Sequence, residues 1–532
     1  MPSSTKLLFL EIDAGDKFLI RRWAADGTLP NLQALLSEGI TGDTIAPEGF
    51  FVGAIWPSLY TASNPARHGI HSLTQLRPGT YEFFRAPTGE HIRRKPFWDC
   101  LSEAGRRVAV LDVPLSGISK SVNGIQSVEW GAHDAIYGFR AWPPAFEADV
   151  RERFGSHPVT RSCNDYGRSA AEFAAFRDLL VEGARRKGEL TRHYLGQGGW
   201  DFFGQVFTES HCVGHQCWHV HDPSHPGHDP DLAAAIGDPI RDVYAAIDRE
   251  IGRILEQVGD GATAIVLAGH GMLHKRGAQF LLPDVLARLG VAVLAESRPD
   301  PVERFDAVLG RIWKRTPPAM QRALAGVRTH ARAWIDDRMP PAGLGPTVSR
   351  LDAAKSHCFL LDNGFPISGL RLNLIGREPA GLIRPGEEEE AFCRQLTDDL
   401  RALEDADTGV RMVRSVERTR DLCEGEHLDL LPDLVVVWSE EHKLGSATCG
   451  NPGGSHLRLR SPKIGIVEGT NDYARTGDHR PDGMFAAIGP GLRPGRIGRT
   501  VSIMDFAPTF CALLGVSMPD VDGRPIAELL GD

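Results

Sequence analysis

The sequence predicts an α/β fold with a mainly parallel central sheet and helices on both of its faces. Short apolar runs alternate with amphipathic helical patterns along most of the chain. The runs are rich in β-branched or aromatic residues and are bounded by turn residues, which is typical of strands buried on both faces. In sheets of this kind, ligands bind outside the carboxyl ends of the strands, so functional residues are expected there.

Predicted strands and predicted helices alternate along the chain. The predicted strands cover 6–12, 107–113, 201–207, 262–268 and 432–438, and the predicted helices cover 16–38, 97–105, 168–195, 236–258 and 387–404. Pro30 is expected to interrupt the first helix because proline breaks a helix interior. Several helical patterns end in glycine, which is favoured at a helix C-terminus. The four glutamates at 387–390 suit a helix start, where the dipole favours negative charge.

Residues 296–350 differ in composition from the rest of the chain. They are rich in arginine, amphipathic and flanked by proline clusters. This pattern predicts a small helical insert or cap between a first part of the catalytic core, 1–295, and a second part, 351–532. A lid over the active site and an ordinary surface excursion both remain open for the insert.

The composition excludes several classes of protein. Of the 532 residues, 42% are hydrophobic and 24% are charged, as in folded globular proteins. The formal net charge is −10 and the basic residues are scattered, so nucleic acid is not an expected partner. No apolar run approaches the ~20 residues of a membrane span or forms a signal-peptide core, which predicts a cytoplasmic protein without membrane contact. The nine cysteines lack a C-x-x-C motif, and we expect reduced, mostly buried thiols.

Four histidines and one aspartate are predicted to meet at one edge of the sheet. Asp13 follows the first strand and His270 follows the fourth, each at a carboxyl end. His211 and His215 stand four residues apart after the third strand, so that on a helix both rings lie on one face. His479 falls in a predicted loop before another apolar run. A metal site is the favoured interpretation of the group, although Asp13 taken alone is more typical of a helix N-cap.

Other polar residues near these positions receive different predictions. Asp478 and Asp482 are expected to orient the ring of His479. Four further histidines are predicted to be solvated in a polar, proline-rich loop: His219, His221, His225 and His228.

At these residues the chain resembles the alkaline phosphatase superfamily, in particular its type I phosphodiesterase and nucleotide pyrophosphatase branch. Further segments that carry the resemblance are NPARHGI (64–70), KPFWDCLSEAGRRVAVLDVP (95–114), LPDLVVVW (431–438), TGDHRPDG (476–483) and SIMDFAPTFCALLGVSMPDVDGRPI (502–526). The resemblance implies an alkaline-phosphatase-like α/β sandwich. It also implies two neighbouring metal sites, usually zinc, flanking a Ser or Thr that attacks phosphorus.

The first implied metal site departs from the family pattern of Asp, His and His. The matching residues are His211, His215 and His479, so an imidazole replaces a carboxylate. Three neutral imidazoles on zinc lower the pKa of a bound water to about 7. One zinc ion is therefore the expected cofactor, with iron as an alternative because imidazole also suits iron.

The second implied site is incomplete. Asp13 and His270 match the family pattern, but Gly269 stands where an aspartate is expected. Two ligands rarely hold an ion tightly, so a second metal is doubtful. His270 and Asp13 then become candidates for acid–base catalysis or substrate binding, with Glu209 and Glu11 as further candidates.

The implied nucleophile position is also changed. It falls on Val52, counted back from Trp56, and valine has no hydroxyl to attack phosphorus. Ser58, Thr61 and Thr44 are the alternatives if the register differs.

These observations predict a metal-dependent hydrolase in which a metal-activated water attacks a phosphoester, pyrophosphate or related ester. The substrate is expected to be a small molecule, and the arginine-rich insert favours an anionic group. The first alternative is a mononuclear His₃ enzyme that has left phosphate chemistry: a lyase, an oxygenase or a C–N or C–O hydrolase of specialised metabolism. The second is an inert binding protein. The sequence assigns no oligomeric state.

Overall fold

The computed structural model describes residues 5–85, 91–131, 138–159, 169–295, 320 and 350–531. All but two positions of the predicted insert, 296–350, lie outside the described residues. Its helical character and the division of the core into 1–295 and 351–532 therefore stay predictions.

The described strands follow one another from β1 to β20. They are β1 (Leu7–Ile12), β2 (Ile40–Ile45), β3 (Thr74–Leu76), β4 (Phe83–Arg85), β5 (Val108–Leu111), β6 (Gly124–Val128), β7 (Arg140–Trp142), β8 (Phe202–Phe207), β9 (Thr263–Ala268), β10 (Gly271–His274), β11 (Cys358–Leu361), β12 (Ile367–Leu372), β13 (Glu404–Asp405), β14 (Val413–Arg418), β15 (Leu434–Trp438), β16 (His456–Ser461), β17 (Gly465–Thr470), β18 (Gly477–Arg480), β19 (Asp482–Ile488) and β20 (Gly495–Ser502).

The described α-helices are numbered in the same way. They are α1 (Lys17–Ala25), α2 (Pro30–Glu38), α3 (Ile55–Thr61), α4 (Pro65–His68), α5 (Phe97–Glu103), α6 (Pro144–Arg153), α7 (Ala170–Leu195), α8 (Glu209–His221), α9 (Pro230–Ile236), α10 (Pro239–Val258), α11 (Leu282–Arg288), α12 (Glu387–Arg401), α13 (Thr419–Leu422) and α14 (Phe506–Leu513). The predicted break at Pro30 is confirmed, since α2 begins there.

The central sheet has the predicted α/β organisation. Within the described part of the chain it contains nine strands in the order β20-β2-β19-β9-β1-β8-β5-β6-β7. The five strands from β9 to β6 are parallel to one another, whereas β19 and β7 run antiparallel to their neighbours. The sheet is thus mixed but mostly parallel, and β9, β1 and β8 lie side by side at its centre.

Helices cover both faces of this sheet. Leu8, Leu10 and Ile12 of β1 belong to a hydrophobic cluster with residues of α7, α8 and α10. Leu7 and Phe9 point the other way, into a second cluster with residues of α3, α5 and α14. Each fully buried aliphatic side chain contributes about 1.5–3 kcal/mol to folding, which explains why β1 is apolar on both faces.

The strand predicted at 432–438 forms, but it lies outside the central sheet. As β15 it belongs to an antiparallel sheet with the order β11-β12-β15-β14, which has its own hydrophobic cluster. All five residues of β15 are buried. An apolar run in the sequence indicates that a strand is buried, but it does not indicate which sheet the strand joins.

The thiols and the helices of the described residues bear on two smaller expectations. Eight of the nine cysteines lie there, all as free thiols and seven of them buried, as predicted. No helix in the described ranges is both long and apolar enough to cross a bilayer.

Candidate metal centre

The carboxyl ends of three adjacent parallel strands bring the predicted ligands together. Asp13 follows β1, α8 follows β8, and His270 follows β9. The backbone N–H of Asp13 donates to the carbonyl of Phe207 at 2.9 Å, and the hydroxyl of Ser210 donates to the carbonyl of Asp13 at 2.6 Å. These bonds fix the start of α8 against the end of β1.

Three buried histidines converge on one point. The Nε2 atom of His479 lies 3.2 Å from Nε2 of His211 and 3.2 Å from Nε2 of His215. Zn–N bonds of about 2.0–2.1 Å in a tetrahedral arrangement place two nitrogens roughly 3.3 Å apart, so this spacing fits one ion. The Nδ1–H of His215 donates to the carbonyl of Gly477 at 2.8 Å, which leaves Nε2 of His215 as the ligating atom. The donor set of the three imidazoles therefore fits a single transition metal.

A short two-stranded sheet carries His479 to the helix that holds the other two rings. β18 pairs antiparallel with β10, and His479 stands opposite Met272. A Cβ added at Gly477 would collide with the carbonyl oxygen of Gly214 in α8, so only glycine permits this close approach. His479 was predicted to lie in a loop; this is wrong, because β18 is too short and too polar to be recognised from its sequence.

The two aspartates near His479 have different roles. Asp478 accepts the backbone N–H of His479 at 3.0 Å and the Nζ of Lys275 at 3.2 Å, so it supports the strand position of His479. Asp482 was predicted to orient the ring of His479, but its carboxylate does not contact that ring. Its carboxylate pairs with Lys17 at 2.9 Å on the other side of the strand.

Asp13 and His270 form a second buried pair beside the three histidines. Nε2 of His270 lies 3.9 Å from Oδ1 of Asp13, and the ring of His270 lies 4.9 Å, centroid to centroid, from that of His479. The N-cap of α1 is Asp16, which accepts the N–H groups of Phe18 and Leu19. Asp13 therefore does not cap the helix, and its carboxylate faces the cavity.

The cavity beside these residues has a volume of about 340 Å³. Its lining includes Asp13, His211, His270 and His479, together with residues that the sequence analysis did not single out. The rings of Phe365 and Tyr473 stack at a centroid separation of 3.9 Å and form one wall. The guanidinium of Arg475 donates to Nε2 of His215 at 3.0 Å. These wall residues come from segments far from the helix in sequence, with no motif to mark them.

The comparison with family models decides the affiliation of the chain. The model of the type I phosphodiesterase / nucleotide pyrophosphatase family matches residues 7–281, more than half of the chain. The chain belongs to this family. No curated protein matches it.

Solved structures resemble the chain over almost its whole length. A phosphonoacetate hydrolase from Sinorhizobium meliloti in complex with phosphonoformate is 16% identical, covers 97% of this chain and 96% of its own, and gives a TM-score of 0.48. Murine ectonucleotide pyrophosphatase / phosphodiesterase 5, as an inactive variant with AMP, is 12% identical. The match covers 98% of this chain and 97% of the murine chain, with a TM-score of 0.47. A mutant of the alkaline phosphatase PafA is 12% identical over 100% of both chains, with a TM-score of 0.50. This last match shows the alkaline-phosphatase-like fold.

Among the described residues, the position of the family's second metal site shows fewer donors than the family pattern. Within the described part of the chain, one group of three or more side chains is close enough together to hold a metal ion. It consists of His211, His215 and His479. At Gly269, an added Cβ would meet Oε1 of Glu11 at 3.1 Å, so the glutamate fills the space beside the glycine. Burial and the charge of Asp13 raise the pKa of Glu11 well above its ordinary value. Asp13 and His270 are thus the two described residues at this site that match the family pattern, and the doubt about a second ion stays a prediction.

The position that the family pattern gives to the nucleophile lies in the cavity wall. Val52 lines the cavity and packs against Gly364, where an added Cβ would lie 2.9 Å from the valine side chain. The three alternative hydroxyls are not among the described residues that line it. The hydroxyl of Ser58 hydrogen-bonds Nε2 of His68 at 2.9 Å, Thr61 donates to a carbonyl of its own helix, and Thr44 donates to the carbonyl of Gly269.

Glu209, a predicted catalytic candidate, belongs to a separate buried cluster. Its Oε1 lies 2.9 Å from Nε2 of His157 and 3.6 Å from Nζ of Lys187, which is 3.2 Å from Asp112. Burial is the largest single influence and opposes ionisation of Glu209, but Lys187 and His157 together outweigh it and lower the pKa of the carboxyl. Glu209 is the first residue of α8 and, unlike His211 two residues later, it is not among the residues that line the cavity. Glu209 therefore belongs to a buried ion-pair cluster at the start of α8, and its catalytic role stays a prediction.

Lys187→Met is expected to lower the free energy of unfolding by about 3–5 kcal/mol, because two buried carboxylates lose their cation. Urea denaturation monitored by circular dichroism measures this loss. Lys95→Met is the control: the ion pair of Lys95 with Glu103 is exposed, and such pairs contribute only about 0–1 kcal/mol. Equal effects of the two substitutions would contradict the structural role of the Lys187 cluster.

The four histidines predicted to be solvated are mostly buried, and that prediction is wrong. Helix α8 continues to His221, which bonds Asp238 at 2.7 Å. His219 is fully buried, and burial lowers its pKa to about 3. His225 is 3% exposed, and His228 donates from Nδ1 to the carbonyl of His219 at 2.7 Å. Polar composition suggested a loop, but packing against α7 and the segment around 476 buries these rings.

Proposed function

We propose that the protein is a metal-dependent hydrolase of a small phosphoester or related ester, and that its nucleophile is a water molecule rather than a side chain. Membership of the type I phosphodiesterase family supports hydrolysis. The observation that carries the proposal is the convergence of three buried Nε2 atoms beside a cavity where Val52 occupies the nucleophile position.

His211, His215 and His479 would hold the ion. A divalent metal on three imidazoles polarises water, lowering its pKa towards neutrality when the metal is zinc, and attracts the oxygen atoms of an ester. The residues themselves supply rigidity, because two of them share one helix face and the third is fixed by β18. A site held this firmly needs little reorganisation during the reaction.

His270 and Asp13 are suited to move the proton. Oδ1 of Asp13 lies 3.9 Å from Nε2 of His270, so the carboxylate would stabilise the charge that the ring gains if it accepts a proton from water and returns it to the leaving group. Burial of both residues excludes bulk water from the pair. We assign His270 the acid–base role and Asp13 the role of stabilising its charge.

A second candidate function is favoured by two observations. Gly269 removes a ligand from the site that normally clamps phosphate between two ions, and the stacked pair of Phe365 and Tyr473 gives the cavity an aromatic wall. Both suit a mononuclear lyase, oxygenase or C–N or C–O hydrolase acting on a less charged substrate. Iron in the purified protein, with oxygen uptake on substrate addition, would favour this candidate over hydrolysis.

Val52→Thr tests the identity of the nucleophile because threonine is nearly isosteric with valine and supplies the missing hydroxyl. If water attacks, Val52→Thr and Val52→Ala are both expected to retain hydrolysis of an aryl phosphodiester within about tenfold of the wild type. His270→Gln is expected to lower kcat by about 10²–10⁴-fold. Initial rates with the zinc-loaded protein measure all three.

The zinc-loaded wild type must hydrolyse at least one aryl phosphodiester, phosphomonoester or carboxylic ester. Inactivity towards all three classes, with metal bound, would overturn the proposed hydrolase. Activity that His270→Gln leaves unchanged would remove the acid–base role of His270 alone.

A further inference from the structure

A second cavity lies next to the cavity at the candidate metal centre. It is an open groove of about 890 Å³ between strand β17 on one side and helix α11 with the turn before it on the other. Phe280 and Asp472 line this groove, and both also line the metal-centre cavity of about 340 Å³ together with His211 and His479. The groove and the metal-centre cavity therefore share a boundary.

A close contact between β17 and the turn before α11 brings the two walls of the groove together. A Cβ added at Gly469 would lie 2.9 Å from Cδ2 of Leu281, so the glycine permits this approach. Among the described strands, β17 pairs with β16 alone and forms the edge of the sheet β13-β16-β17. The groove thus lies beside an edge strand that the described sheet leaves uncovered.

The described lining of the groove has no net formal charge. It contains three arginines and three acidic residues. Nη2 of Arg350 lies 2.8 Å from Oδ1 of Asp284, and Nε of Arg458 lies 3.2 Å from Oε2 of Glu468. Because opposite charges in the wall offset one another, a second anionic group on a ligand would gain little attraction here.

Apolar side chains form most of the remaining lining. Leu294 and Ile466 are 43% and 46% exposed, so each offers apolar surface to a ligand. Leu281, Ala287 and Val467 line the same space. Covering this surface removes it from water, which favours the binding of an extended apolar group.

We propose that the ester substrate carries an extended, uncharged and largely apolar substituent, which passes along Phe280 and Asp472 and lies in the groove. The inference rests on the proposed function, which places the ester group at the metal centre. The shared boundary carries it, because a molecule that fills the metal-centre cavity and continues past these two residues enters the groove. Ile466, which lines the groove but not the metal-centre cavity, then determines specificity for the length of the substituent.

Methyl and octyl p-nitrophenyl phosphate test the groove, because they share a leaving group and differ in the length of one substituent. A fully buried methylene group is worth about fourfold in binding. For the zinc-loaded full chain, kcat/KM is therefore expected to be about 30-fold or more higher for the octyl ester. Ile466→Asp places a charge in the groove and is expected to lower this octyl-to-methyl ratio by about tenfold. Initial rates of p-nitrophenolate release measure the ratio.

Ile375→Asp is the matched control, since Ile375 is 47% exposed and lies outside the described lining of both cavities. Its octyl-to-methyl ratio should equal that of the wild type. A substitution that only weakened the fold would lower both rates and leave their ratio unchanged. Isothermal titration calorimetry with octyl phosphate and methyl phosphate makes the same comparison without turnover. Octyl phosphate is expected to bind more tightly to the wild type, with most of this difference lost in Ile466→Asp.

The outcomes distinguish the inference from the proposed function. A zinc-loaded wild type that hydrolyses no ester contradicts the proposed function, and the calorimetric comparison then still tests the groove. Equal kcat/KM for the methyl and octyl esters contradicts the inference alone, and is the result expected if another part of the chain or a second copy covers the groove. An octyl-to-methyl ratio that Ile466→Asp leaves unchanged contradicts it equally.

Discussion

His215→Ala is expected to abolish metal binding and hydrolysis together. Its Nε2 lies 3.2 Å from that of His479, and two imidazoles remain after the substitution, too few to hold an ion against water. Loss of a residue that only supports a ligand costs about 10–100-fold in metal affinity, and loss of the ligand itself should cost more. Elemental analysis after gel filtration and zinc titration measure the loss of metal, and initial rates measure the loss of hydrolysis.

His219→Gln is the matched control for this prediction. His219 lies one helical turn further along α8 and is also fully buried, but its Nδ1 bonds the hydroxyl of Thr476. The control is expected to bind metal like the wild type, even if its stability falls. Metal retained by His215→Ala, or lost equally in His219→Gln, would contradict the assignment of the three ligands.

The protein is expected to lose stability steeply as the pH falls below about 6.5. Five buried histidines are held neutral, because burial lowers the pKa of His68, His71 and His219 to about 3 and of His225 and His274 to about 4. In the unfolded chain their pKa is about 6.5. Between pH 6.5 and 4 the unfolded state therefore binds more protons than the folded state, and falling pH favours unfolding.

The size of this effect follows from proton linkage. Each such histidine costs about 1.4 kcal/mol of stability for each pH unit below 6.5, so five together cost about 7 kcal/mol per unit. This is a large share of the 5–15 kcal/mol that typical domains possess. Urea denaturation at pH 7.5, 6.5 and 5.5 measures the slope, with unfolding expected near pH 5.

A single substitution tests whether the buried histidines cause the pH dependence of stability. His71→Gln removes one of the five buried groups, and the pH dependence should become shallower by about one proton. His456→Asn changes an exposed histidine and should leave the slope as it is. A wild type equally stable at pH 7.5 and 5.5 would show that the buried rings are already protonated when folded.

Local patterns in the sequence predicted the central architecture and a cluster of histidines that could hold a metal ion. The apolar runs correspond to β1, β5, β8 and β9 because strands buried on both faces must be apolar throughout. The spacing of His211 and His215 places both rings on one face of α8 since the period of a helix is 3.6 residues. His479 was singled out by its place just before an apolar run, and its strand was missed because β18 lies within a polar stretch.

Contacts between segments that are distant in the sequence could not be predicted from local patterns. Arg475 and the wall of Phe365 and Tyr473 reach the cavity only through tertiary packing, and no local period marks them. Glu209 follows a central strand like His211, but its carboxylate lies beside Lys187 and not in the cavity lining. The direction of a side chain at a strand end depends on the loop geometry, which composition does not specify.

The number of metal ions per chain tests the central claim most directly. Inductively coupled plasma mass spectrometry on protein purified without added metal or chelator gives the identity and stoichiometry. The account predicts one transition-metal ion per chain, and none in His211→Ala. Two ions per chain would contradict it, because the pair of Asp13 and His270 would then hold a metal without the aspartate that Gly269 replaces; a chain free of metal that also binds no added zinc would contradict it equally.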